Sequence, residues 1–188
     1  MSDTNDRIDG IQLLVNDHRT VDALFDQFEQ TGPEDHATRR ALVDDMIHEL
    51  SIHAAIEELF LYPFIRDEVD GGDRLADEGI EEHQEAKEIL ADLEDRQPDD
   101  PEFDERVNEL IADVRHHVEE EETEFFPALR EAATPEQLAD LGDRLSKAKA
   151  TAPTRPHPGA PNTPPGNIAA GPVAGAVDRV KDAVTKDE

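Results

Sequence analysis

The chain is 188 residues long and 36% hydrophobic, with 47 acidic against 18 basic side chains and a formal net charge of -29. That length accommodates one domain of ordinary size plus a tail, and the charge opposes binding to nucleic acid or to an anionic membrane surface. Cysteine is absent, so disulfides, thiolate clusters and thiol nucleophiles are excluded; with no signal-peptide pattern after Met1 and no apolar run near the roughly 20 residues that span a bilayer, cytoplasm is the expected location.

Taken in order, the chain predicts a helix from about Asp9 to Gln30, where Ile11, Leu14, Val15, His18, Val21, Phe25 and Phe28 recur at three- and four-residue steps. Thr31-Gly32-Pro33 stops it. A second helix begins near Glu34 with the stripe Leu42, Met46, Leu50, His53, Glu57 and Phe60, and is expected to kink or end near Pro63, whose nitrogen carries no hydrogen for the carbonyl of Leu59. Gly71-Gly72 closes the connection to a third helix, about Asp73 to Arg96, bearing Leu75, Gly79, His83, Ala86, Leu90 and Leu93.

Beyond the turn Pro98 to Pro101, a fourth helix carries Phe103, Val107, Leu110, Val114, His117, Glu121 and Phe125. A shorter fifth is expected from Pro135 to about Ala148, with Thr134 as its N-cap and Leu138, Leu141 and Leu145 capping the bundle. Composition then shifts. Thr151 to Pro172 holds seven of the thirteen prolines, which marks a disordered tail. Val173, Val177, Val180 and Val184 form a weak terminal helical stripe, docked or untethered. The expected division is a bundle over residues 1-149 and a tail over 150-188.

An internal repeat organises these elements. His53-Ala-Ala-Ile-Glu57-Glu58-Leu-Phe-Leu-Tyr-Pro63 returns as His117-Val-Glu-Glu-Glu121-Glu122-Thr-Glu-Phe-Phe-Pro127, every counterpart offset by 64, and His18 and His83 on the preceding helices are offset by 65. Residues i and i+4 of a helix differ by about 40° in direction, so Glu57 points with His53 and Glu121 with His117; Glu58 and Glu122, about 140° from those His residues, are expected to face outward. The offset also selects His117 over His116. His36, His48, His116 and His157 fall outside the pattern.

Short connections make successive helices antiparallel neighbours whose stripes meet on one axis. His18, His53, His83, His117, Glu57 and Glu121 then converge in the interior. Two ionised carboxylates in a dry core cost several kcal/mol each unless they share a positive charge, and no Arg or Lys recurs on the stripes. Imidazole with carboxylate suits first-row metals, and six ligands exceed what one zinc ion takes. Two octahedral ions need about twelve positions; four imidazoles, two bridging carboxylates and a bridging oxygen fill about ten. About one position per ion stays open for dioxygen, peroxide or nitric oxide. Iron is the first choice, with manganese as the other candidate.

The paired His-x-x-x-Glu-Glu-x-x-x-x-Pro segments, each preceded by a helix with one His, resemble the hemerythrin-like (HHE cation-binding) family over about Ile8 to Ala132, and most closely its bacterial branch. The resemblance implies an all-α, up-down-up-down four-helix bundle with a non-haem di-iron centre on His18, His53, Glu57, His83, His117 and Glu121. Where the oxygen carriers of that family place a further His on the third helix, this chain has Lys87. That departure turns the expectation from simple oxygen storage to sensing, scavenging or buffering of oxygen, peroxide or nitric oxide. The alternatives are a di-iron enzyme that decomposes peroxide or handles nitric oxide, and an iron-responsive module whose tail engages a protein partner.

Overall fold

The computed structural model describes residues 7–185, less the side chains of residues 169, 170, 172, 184 and 185, so that Val184 of the terminal stripe lies outside the described side chains. The regular elements among them are α1 (Gly10–Gln30), α2 (His36–Ile56), α3 (Tyr62–Glu68), α4 (Gly72–Asp95), α5 (Phe103–Glu120), α6 (Phe126–Ala132), α7 (Pro135–Lys149) and α8 (Gly166–Thr185). A π-helical turn at Glu57–Leu61 joins α2 to α3, and another at Glu121–Phe125 joins α5 to α6. Four rods result: α1, α2 with α3, α4, and α5 with α6. Each packs on its neighbours in the chain, and α5 closes the ring against α1.

Local chemistry sets the boundaries. Asp9 and Asp35 cap α1 and α2 by accepting the amides of Gln12 and Thr38. Gly71 turns the chain into α4 at φ 77°, a left-handed conformation that favours glycine. Thr134 and Gln137 form a reciprocal capping box at α7, with Pro135 in the first turn as expected.

Pro63 and Pro127 do not end their helices. Each π turn shifts the hydrogen bonding by one residue, Tyr62 bonding to the Glu57 carbonyl and Phe126 to that of Glu121. The prolines then fall in the first turn of α3 and α6, where a missing amide hydrogen costs nothing within the helix.

The core falls into two apolar clusters. One joins Ile11, Leu14, Ile56, Tyr62, Leu75 and Phe125 to Leu138, Leu141 and Leu145 of α7. The other holds Val21, Phe25, Met46, Leu90, Phe103 and Val107 at the far end of the bundle. On α1, on α4 and on α5 with α6 the buried His, with Glu121 on the last, lies in sequence between the residues of the two clusters, and on α2 with α3 His53 and Glu57 fall just past that boundary, among Ile52, Ile56 and Leu61. A polar layer therefore divides the apolar core.

The tail differs from expectation. Residues 150–165 are irregular, yet Ala152, Thr154 and Pro156 are buried, and α8 packs with Gly175 and Asp178 inward while Val173, Val177 and Val180 are exposed. Composition predicts the opposite face because it weighs only apolarity. The surface that α8 meets is polar backbone: a Cβ on Gly175 would stand 2.3 Å from the Thr151 carbonyl oxygen, and Asp178 accepts the Thr154 amide at 3.2 Å. No described helix is long and apolar enough to cross a membrane.

Candidate metal centre

α1, the C-terminal end of α2, α4 and the C-terminal end of α5 each deliver one buried imidazole to the polar layer, and the π turns deliver the two carboxylates at their first residue. His18, His53, His83 and His117 are at most 6% exposed, and Glu57 and Glu121 are fully enclosed. All six residues expected from the repeat are brought together. The donor atoms of His18, His53, Glu57 and Glu121 lie within 4.8 Å of one another, as do those of Glu57, His83 and His117.

The contacts sort into two imidazole pairs sharing two carboxylates. Glu57 Oε2 stands 3.1 Å from His53 Nε2 and 3.3 Å from His83 Nε2. Glu121 reaches His18 Nε2 at 3.3 Å with one oxygen and His117 Nε2 at 3.7 Å with the other. Each carboxylate thus meets one imidazole of either pair, the disposition of a bridging ligand.

Every imidazole has a carboxylate behind it on the Nδ1 side. Glu122 faces His18 at 3.0 Å, Asp17 faces His53 at 3.7 Å, Glu58 faces His83 at 3.3 Å and Glu82 faces His117 at 2.7 Å. A carboxylate hydrogen-bonded at Nδ1, as Glu122 is to His18 and Glu82 to His117, fixes the ring and directs the lone pair of Nε2 to the centre, while Asp17 and Glu58 stand at Nδ1 of His53 and His83 as charges without a hydrogen bond. These four acids escape a reading based on α-helical rotation, which sends Glu58 and Glu122 outward. The π turn starts at the preceding Glu and turns fewer degrees per residue than an α-helix, so Glu58 reaches α4 and Glu122 reaches α1. The signal was present in the repeat: Asp17 and Glu82 each directly precede a site His, and Glu58 and Glu122 each directly follow a site Glu.

Tyr62 is fully buried and carries its hydroxyl to 3.1 Å from His83 Nε2 and 3.3 Å from Glu121 Oε1. Gly79 makes room for it, since a Cβ there would lie 2.8 Å from the ring carbon and the hydroxyl oxygen. The 64-residue counterpart, Phe126, stacks on His18 at 5.8 Å between ring centroids. At this position the halves differ by one hydroxyl. His36, His48 and His116 are exposed, and His157 pairs with Asp178 at 3.0 Å in the tail.

The electrostatics are those of a centre short of positive charge. Burial and then the neighbouring Glu121 push the Glu57 carboxyl well above the usual range. Burial opposes ionisation of Glu121 too, but His117 and His18 outweigh it and hold that carboxyl low. Burial pulls His53 down to about 4 and lowers His83 as well, which favours the neutral, metal-binding imidazole. At His117 burial acts the same way, but Glu121 and Glu82 prevail and raise it.

Several of the donor atoms also lack hydrogen-bond partners inside the protein. Both oxygens of Glu57, one of Glu121, both ring nitrogens of His53 and Nε2 of His18 are buried without a hydrogen bond. Buried polar atoms are nearly always paired, so a concentration of orphans at one point fits a cation that they face in common. This buried His/Glu cluster fits a metal site. A cavity of about 90 Å³ adjoins it, lined by the four His, by Val21, Leu50, Ala86, Leu90 and Val114, and by Glu82 and His116 toward the surface.

Residues 9–129 match the family model of the hemerythrin HHE cation-binding domain. The chain is 28% identical over 174 residues, 92% of its own length and 85% of the relative's, to an uncharacterized hemerythrin-like protein of Schizosaccharomyces pombe. It is 31% identical over 137 residues to a Nostoc protein named DNA nickase, a match covering 73% of this chain but 38% of that one. Among solved structures, an HHE cation-binding domain-containing protein of Mycobacterium kansasii shares the fold at a TM-score of 0.65 and 23% identity, covering 76% of this chain and 86% of that chain.

Proposed function

The chain belongs to the hemerythrin HHE cation-binding domain family, and on that premise we propose that it is a non-haem di-iron protein that binds dioxygen or a related small oxidant, serving as a sensor, scavenger or buffer of oxygen, peroxide or nitric oxide. The observation that carries this reading is the pair of imidazole pairs joined by two buried carboxylates, Glu57 with neither oxygen hydrogen-bonded and Glu121 with one of its two left without a partner. His18 and His53 would hold one ion, His83 and His117 the other, and Glu57 and Glu121 would bridge them. When bound, the irons supply positive charge to the two carboxylates and a reversible change of oxidation state.

The protein's own residues do the rest. Glu122, Asp17, Glu58 and Glu82 orient the imidazoles. The apolar clusters on either side exclude bulk water. The adjoining cavity has room for a molecule the size of peroxide, since a single water needs only about 10–15 Å³ by this measure. Tyr62 presents a protonated oxygen to the centre: burial, with Glu121 next, pushes its hydroxyl well above the usual phenol value.

Metal analysis and absorption spectroscopy of the purified chain test the proposal. Two irons per chain, with near-ultraviolet bands that change on adding air or peroxide, are expected. Metal-free protein whose helicity survives a chelator and ignores added ferrous iron would overturn it.

The Tyr62 hydroxyl favours a second reading, an enzyme that decomposes peroxide or handles nitric oxide, because a proton donor at the centre suits turnover as well as binding. Sustained peroxide consumption would distinguish it from binding alone. The name of the Nostoc relative raises DNA cleavage, which a net charge of -29 opposes here.

A further inference from the structure

The two halves of the centre have unequal surroundings. Glu122, behind His18, is held at 2.8 Å by Arg19, whose side chain is 61% exposed. Glu58, behind His83, is held at 2.6 Å by Lys87, whose side chain is 11% exposed. What covers Lys87 is the tail.

Lys87 Nζ donates to Asn162 Oδ1 at 2.9 Å. The amide nitrogen of Asn162 donates to Gln84 Oε1 at 3.0 Å, and Gln84 in turn donates to the Pro158 carbonyl at 3.1 Å. Asn167, in the first turn of α8, donates to the Glu58 carbonyl at 3.2 Å. Extending the π register would assign that carbonyl to the amide of Pro63, which has no hydrogen. Two asparagines thus fasten the tail to the backbone of the π turn and to the ammonium that steadies its second carboxylate. These residues lie beyond the segment that the family model matches.

We propose that residues 158–167 are a strap that locks the outer support of His83, so that the ion held by His83 and His117 leaves more slowly than the ion held by His18 and His53. The proposal rests on the two-metal reading above. An imidazole keeps its metal as long as its ring is held in place. The hold on His83 runs through Glu58 to a lysine sheltered from water, where the ion pair is screened little. The hold on His18 runs through Glu122 to an exposed arginine, where such a pair contributes little. Asn162 and Asn167 are positioning residues, acting on the metal only through Lys87 and Glu58.

The test is release kinetics from the full chain loaded anaerobically with ferrous iron and challenged with a colour-forming chelator. Wild type is expected to release one ion per chain quickly and one slowly. Asn162→Ala, alone and with Asn167→Ala, accelerates the slow phase about tenfold, the lower end for loss of an outer partner, and leaves the fast phase unchanged. Arg19→Ala leaves the slow phase unchanged. Because coupling is reciprocal, loading should also slow amide hydrogen exchange over residues 159–168, a readout that needs no oxidant chemistry. Two ions released in a single phase, or asparagine variants that change neither phase or both equally, would overturn the strap while leaving the centre standing. Fewer than two ions in wild type would overturn the centre and the strap with it.

Discussion

His83 Nε2 and His117 Nε2 face each other across 3.2 Å, one from α4 and one from α5. Both rings are backed at Nδ1 by a carboxylate, Glu58 and Glu82. If those carboxylates receive the Nδ1 protons, two nitrogen lone pairs point into one small space. Such an arrangement repels itself unless a cation stands between the pairs.

Removing a donor from the centre should remove metal. His53→Ala and Glu121→Ala are each expected to lose most of the bound ions, whereas His36→Ala, at an exposed position, retains the wild-type content. Elemental analysis per folded chain checks this, with circular dichroism to exclude unfolded material. Two ions retained by either of the first two variants would sink the ligand assignment.

The outer carboxylates should tune affinity without abolishing the site. Asp17→Asn and Glu82→Gln keep the size of the side chain and remove the charge that orients His53 and His117. Each is expected to weaken metal binding about 10- to 100-fold, measured by competition with a chelator of known affinity. Unchanged affinity in both would mean that the rings are held by packing alone.

Glu57 should trade stability against function. Its folded value lies well above 4.5 because of burial and then Glu121, so in the metal-free chain its contribution to stability is fully present below pH 4.5 and is lost as pH rises through the raised value. Glu57→Gln removes that loss. The variant should be about 1–4 kcal/mol more stable than metal-free wild type near pH 7, in line with replacement of buried charge by neutral groups, while binding no pair of ions. Urea unfolding at several pH values provides the comparison; equal midpoints at neutral pH would contradict a buried, uncompensated Glu57.

Tyr62 and Gly79 form a lock that can be tested from either side. Tyr62→Phe deletes the hydroxyl beside His83 and Glu121 and should keep two ions per chain while altering the absorption spectrum or the rate of reaction with peroxide. Gly79→Ala pushes a methyl group against the enclosed ring and should lower stability by about 1–3 kcal/mol. A Tyr62→Phe protein spectroscopically and kinetically identical to wild type would leave the residue a packing role alone.

By itself the sequence determined the four main rods, the short α7 with its Thr134 cap, and the six residues of the buried layer, because helical period and a repeat at 64 or 65 residues are local records of which face points inward. Tertiary structure decided everything that depends on a neighbouring rod. It continued α2 into α3 and α5 into α6 past Pro63 and Pro127, since the π turns shift hydrogen bonding by a residue, a change that the stripe of apolar residues does not encode. It turned Glu58 and Glu122 onto His83 and His18, and it brought the Tyr62 hydroxyl to the centre because Gly79 lies across from it. It laid the proline-rich tail over Lys87 through hydrogen bonds from side-chain amides and to backbone carbonyls. Periodicity reports the burial of apolar surface, and these contacts are hydrogen bonds between residues far apart in the chain, whose partners exist only once the rods have met.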